Sequence, residues 1–208
     1  MPEDVSWPRW LMGALALVLA TVALPMTAAE AVRAAAGRAA PRPAAICAAA
    51  WLGWLRGDLW AACAMAEAAR PGADDPARRR AFRDAAERAL ASAPYQPRLW
   101  LSLAEGDERD PQTATPFNAV LKMAHYTAPA DDVDGAAERL ALALSAAGPA
   151  DEELDELARS DVRALIGHDR LGPLTAVYAR LGDGGRRFIE RAVAATRPEL
   201  LQRLGAPG

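Results

Sequence analysis

The sequence predicts an all-α fold, in which one N-terminal apolar helix is followed by a stack of antiparallel helical hairpins. Three observations carry this expectation. About a quarter of the 208 residues are alanine, the strongest helix former, while β-branched and aromatic residues are scarce. Apolar residues recur at three- and four-residue spacings, the period of a helix that buries one face. Prolines and glycines fall between those runs, where they end helices. The length leaves room for one anchor segment and one domain of ordinary size. Alanine buries little surface, so the core has to come from close helix approach, the leucines and the six tryptophans.

Residues 1–30 read as a membrane anchor. Trp10 to Ala29 is a run without a charge, and twenty residues of helix span about 30 Å, the thickness of a bilayer's hydrocarbon core. A transmembrane helix is therefore placed at about 8–28, with Trp7 and Trp10 at interfacial positions and Pro8 and Arg9 at its entry. The rival reading is a cleaved signal peptide, since Pro25 follows the apolar core and Ala28, Ala29 and Ala31 offer small residues for cleavage. Against it, Glu3 and Asp4 offset the positive start such a peptide needs. Orientation stays open. Arg33, Arg38 and Arg42 favour a cytoplasmic C-terminal side, whereas a signal anchor with so short a leading tail more often exports the rest. Gly13, Ala16 and Ala20 form a small-residue face suited to helix contact in the membrane.

Residues 31–43, interrupted by Gly37, Pro41 and Pro43, are expected to be a linker, and 44–208 the helical domain. Ala44 to Arg70 reads as a hairpin turning at Gly57-Asp58, with Trp51, Leu52, Trp54 and Leu55 on one helix and Leu59, Trp60, Cys63 and Met65 on the other. With the turn there, Cys47 and Cys63 differ in height by about 6 Å. Added to the lateral spacing of two packed helices, that exceeds disulfide reach, so two free, buried thiols are expected. Pro71 to Pro76 is a loop, followed by helix 77–93. Its arginines 78, 79, 80, 83 and 88 are read as a solvated face paired with Asp84 and Glu87, with anionic polymers or phospholipid headgroups as the functional alternative. Ala85 to Ala104 then carries the end of that helix, a turn bounded by Pro94 and Pro97, and the start of helix 97–105, where Trp100 and Leu103 open an apolar face.

Glu105 to Pro111 is expected to be a break, and Thr115-Pro116 the cap and first residue of helix 116–127. Val133 to Ala147 and Asp151 to Gly167 follow, the latter with an acidic first turn suited to the positive end of the helix dipole. Gly172-Pro173 opens a helix over 174–181, Gly182 to Gly185 is a turn, and a helix over 186–196 precedes a tail, Pro198 to Leu204, that caps the stack.

Composition and motifs narrow the chemistry. Arginine outnumbers lysine 23 to 1, yet Asp and Glu exceed the bases and the net charge is −3, so no basic footprint for nucleic acid exists. No Gly-x-Ser-x-Gly elbow occurs, no histidine neighbours either cysteine in sequence, and Gly182-Asp183-Gly184-Gly185 lacks the lysine of a phosphate loop. His125, one of two histidines, has no cysteine or acid beside it at metal-ligand spacing and reads as structural or surface. The acid pairs Asp131-Asp132 and Glu152-Glu153 read as helix caps and solvated charge. The expectation is no catalytic residue, no cofactor and no metal.

The Ala89-Leu90 pair, Pro94, and Trp100 with Leu103 resemble the junction between tetratricopeptide repeats, which implies a TPR-like stack of hairpins. The order of an apolar segment, an alanine-rich hairpin, Ala-Pro-Tyr-Gln-Pro-Arg-Leu-Trp-Leu-Ser-Leu-Ala at 93–104 and Leu-Lys-Met-Ala-His-Tyr-Thr-Ala-Pro at 121–129 resembles VpsP-type exopolysaccharide-biosynthesis proteins of bacteria. So do 137–142 and 154–165, and the likeness covers roughly 45–205. It implies a non-catalytic scaffold, accessory to surface polysaccharide synthesis or export, held in the inner membrane by a single pass with a periplasmic domain. Its partners would be proteins of that machinery. It carries over no active-site residue. The alternative class is a structural subunit of a larger membrane complex, with an enzyme of unrecognised type ranked last.

Overall fold

The computed structural model describes residues 9–36, 43–53, 56–70, 75–109, 117–129, 132–145 and 152–204. All of its regular structure is helical, and it divides into two compact units, Met1–Ala93 and Pro94–Gly208.

In the first unit, α1 (Arg9–Ala36) is long enough to project its apolar half, from Trp10 onward, away from its own neighbours; Leu17, Val18, Leu19 and Leu24 are exposed. The helix does not stop at the anchor. It runs on through residues 31–36, the alanine-rich, helix-compatible start of the linker, and only its far end packs, with Ala29 fully buried and Glu30 paired with Arg56. Helix α2 (Pro43–Leu52) folds back along that end, so that Gly53, just past its C-terminus, meets Ala29: a Cβ there would stand 3.2 Å from the Ala29 Cβ. Alanines 49 and 50 form the buried side of α2, which brings it close to α3 (Gly57–Ala68).

The corner between α2 and α3 lies before Gly57, which is the first residue of α3. Cys47 stands five residues before the end of α2 and Cys63 six after the start of α3, which levels them to within about 2 Å. They form a disulfide with a Cα–Cα separation of 4.7 Å, so the expectation of two free thiols is overturned. The misplaced turn had put the two cysteines at different heights.

Gly57 has another use. A Cβ on it would lie 2.9 Å from the Ser92 Cβ and 3.1 Å from the Ala89 carbonyl oxygen of α4 (Pro76–Ser92). Gly57→Ala should therefore force α3 off α4, lowering stability by about 1–3 kcal/mol, checked by the thermal midpoint of the variant. Asp75 caps α4 by accepting from the Ala77 amide at 2.9 Å, with Pro76 at the first helical position. Of the arginines on α4, Arg78 donates to the Glu67 and Arg70 carbonyls at the end of α3, at 3.3 and 2.6 Å. Arg83 pairs with Glu87, and Arg88 lies over the rings of Trp51 and Trp60 at 4.4 and 4.8 Å. Those two rings meet edge to face, Trp60 buried and Trp51 exposed.

The second unit is built from α5 (Pro97–Arg109), α6 (Phe117–Tyr126), α7 (Val133–Ser145), α8 (Glu152–Gly167), α9 (Leu171–Arg180), α10 (Asp183–Thr196), a 3-10 turn (Pro198–Leu200) and α11 (Leu201–Leu204). Helix α5 continues four residues beyond the expected break at Glu105. It buries Leu99, Leu101, Leu103 and Ala104, while Trp100 is half-buried and its indole N–H donates to the Pro94 carbonyl at 2.8 Å. The expected cap and proline at 115–116 lie outside the described residues. Gly184 and Gly185, read as turn residues, belong to the first turn of α10.

Consecutive helices pair closely as α5 with α6 and α7 with α8, whereas α9 and α10 touch each other less than they touch the α7–α8 pair. Across these pairs, α5 packs on α7 and α7 on α9, while α6 packs on α8 and α8 on α10. Leu140, Leu154, Val162, Leu165, Leu174 and Ile189 fill the layers between them. Between α8 and α9 the chain closes with Arg170 N–H donating to Leu165 O and Asp169 N–H to Ile166 O, and Asp169 takes the left-handed conformation at φ 54°. The tail turns back so that Leu200 and Leu204 are buried, with α11 against α9 and α10.

Candidate functional site

Two buried charges of the second unit, Arg139 and Asp161, meet where α6, α7 and α8 come together. Arg139 sits on the apolar stripe of α7 between Ala136 and Ala143, and its guanidinium is almost wholly buried. One arm donates to Asp132 Oδ2 at 2.9 Å and the other to Asp161 Oδ1 at 3.0 Å. Asp132 also caps α7, accepting from the Gly135 amide at 3.1 Å. A Cβ on Gly135 would overlap the Asp132 carboxylate and come within 2.9 Å of Arg139 Nη1, so a larger residue there would displace this ion pair. From α6, the buried His125 ring places Nδ1 3.4 Å from Asp161 Oδ2.

Neither His125 nor Asp161 ionises at its ordinary pH. Burial, with the Arg139 charge adding to it, pushes the imidazole down to about 4. Burial pushes the Asp161 carboxyl up to about 6, with Arg139 opposing the rise and Asp132 adding to it. At neutral pH the centre thus holds a neutral histidine, an ionised Asp161 and the arginine.

The two shifts have opposite consequences for stability. Asp161, raised from 3.8, contributes stability that is complete below pH 3.8 and lost as pH rises through about 6. His125, lowered from 6.5, contributes stability present above pH 6.5 and lost as pH falls through about 4. Between these limits folding takes a proton from His125 and gives one to Asp161, so their slopes cancel. The intact chain should be nearly indifferent to pH from 4 to 6. His125→Gln should become less stable across that window as pH rises, and Asp161→Asn more stable, each by about 2–3 kcal/mol. Denaturant titrations at several pH values check this; equal slopes in the two variants would refute the assignment.

A His–Asp pair is half of a nucleophile-activating triad, and among the described residues no nucleophile is bonded to this one. His125 Nε2, the atom that would accept a nucleophile's proton, is buried and has no hydrogen-bond partner among the described residues. Both cysteines are in the disulfide. Among the described residues no group of three or more His, Cys, Asp or Glu is placed to hold a metal. The Arg139–Asp161 clamp bonds α7 to α8, with the neutral His125 ring of α6 packed against it.

Beside the clamp is a surface pocket of about 360 Å³ lined by Asp132, Val133, Asp134, His168 and Arg170, with Arg170 paired to Asp134 at 2.7 Å. The second acid pair also works between helices: Glu153 of α8 accepts from Lys122 at 2.6 Å and from the Tyr126 hydroxyl, both on α6. Of Asp131, the other member of the first acid pair, nothing is described, as of Trp54 and Leu55. Comparison with protein-family models, with curated proteins and with solved structures finds no match to this chain.

Proposed function

We propose that this chain is a non-catalytic, membrane-anchored helical scaffold, an accessory protein in bacterial surface polysaccharide synthesis or export. The observation that carries the anchor is α1: Trp10–Ala31 is long and apolar enough to cross a membrane, with none of its most apolar stretch buried. The same composition suits a signal sequence, but Ala28, Ala29 and Ala31 lie inside a continuous helix and Ala29 is packed against Gly53. Loss of that segment would uncover the end of α2.

The order of packing in the second unit supports a TPR-like reading. First helices stack on first helices and second on second, the pattern by which repeat proteins build an extended surface for a partner. The Cys47–Cys63 bond favours the exported orientation, since disulfides persist in oxidising compartments such as the periplasm. The polysaccharide assignment rests on the resemblance across 45–205.

Two experiments test the reading. Intact-mass measurement of the mature protein should find residues 1–30 retained, and a species beginning near Glu30 or Val32 would remove the anchor. A deletion strain should lose surface polymer. Unchanged polymer, together with a stoichiometric, salt-resistant complex in mild detergent, would favour the structural-subunit alternative.

A further inference from the structure

We propose that the corner between α2 and α3 is a second membrane contact, with Trp51 and Leu52 seated in the lipid interface beside the point where α1 leaves the bilayer. The inference rests on the reading that α1 crosses the membrane. Given that, the fold sets the height of the corner. The apolar run of α1 ends near Ala31, and Gly53 touches Ala29, so the C-terminal end of α2 stands level with the last turn of the span.

What stands at that level has the composition of an interface. Trp51 and Leu52 are 62% and 41% exposed at the end of α2, unlike Ala49 and Ala50 immediately before them, which are fully buried. Tryptophan favours the headgroup boundary, where its ring is apolar and its N–H remains wet. The charges around it are paired or stacked. Arg56 is bonded to Glu30 and Asp58, and Arg88 holds its guanidinium 4.4 Å over the Trp51 ring, a cation at the depth of lipid phosphates. Continuity with the span selects lipid as the occupant of this apolar patch.

The second contact would fix the tilt and rotation of the first unit relative to the bilayer, which a lone helix leaves free. The test is site-specific photocrosslinking of the full-length protein in membranes, with benzoylphenylalanine placed singly at Leu52, Leu17 or Ala68. Leu17 lies exposed on α1 and reports the span, while Ala68 lies exposed at the far end of α3, about 16 Å along the helix from the corner. The expected result is lipid adducts at Leu52 in a yield within about twofold of Leu17, and none at Ala68. Adducts at Leu17 without any at Leu52 would overturn the second contact and leave the anchor standing. Adducts at neither would overturn both, and protein adducts in place of lipid at Leu52 would make the corner a protein-docking surface.

Discussion

Arg139→Met should destabilise the second unit by about 3–5 kcal/mol, a large share of what holds a domain of this size together. The substitution keeps the length and apolar stem of the side chain and removes only its charge and donors. Two carboxylates are then left without their cation, and Asp161 is 5% exposed. A buried pair adds little beyond what apolar residues in its place would give, but breaking one side leaves the full desolvation penalty of the other. Arg139→Lys should recover little, because one ammonium cannot reach Asp132 and Asp161 through the two arms of a planar fork. Adding Asp161→Asn to Arg139→Met should restore part of the loss, so the double-mutant cycle gives a coupling clearly different from zero. Hydrogen exchange of the α6, α7 and α8 amides resolves the effect from events in the other unit. A loss confined to α7, or one below about 1 kcal/mol, would mean that the clamp does not hold α7 to α8.

The clamp was partly legible. Arg139 falls three residues after Ala136 and four before Ala143, and Asp161 three after Ala158 and four before Leu165, so each occupies an apolar-stripe position of its helix. A charge on a buried stripe needs a partner, and two such charges on successive helices point to each other. His125 gave no comparable sign, because its partner is 36 residues away and their meeting depends on α6 packing against α8. Helix class was readable, and Pro97 marks the start of α5. Pro76, read as loop, is instead the first residue of α4, and Gly172-Pro173, read as preceding a helix, lie within the first turn of α9. The corner before α3 was not readable. Gly57 has the appearance of a turn glycine, yet it is glycine so that α3 can approach the backbone of α4, a requirement of packing that no local pattern expresses.

Removing the disulfide should have the other large effect. Cys47 and Cys63 close a loop with a sequence separation of 16, for which the loss of unfolded-state entropy stabilises the fold by about 3 kcal/mol. The first unit depends on this more than a leucine-rich domain would. Its buried residues on α2 and α3 are mostly alanine, glycine and cysteine, with Leu59 and Trp60 the large ones, so apolar burial offers less to offset a lost cross-link. Cys47→Ala combined with Cys63→Ala should thus lower the thermal midpoint sharply and expose the α2–α3 pair to protease, while Gly57→Ala in the same unit does so more mildly. Alkylation of the non-reduced, denatured protein should label neither cysteine, and both after reduction; labelling of both without reductant would dissolve the bond and the argument from it. The same measurement on whole cells bears on orientation. A domain facing the cytoplasm would be held reduced and would lose this stabilisation where it works, so an oxidised pair in the cell would place the α2–α3 pair on the exported side.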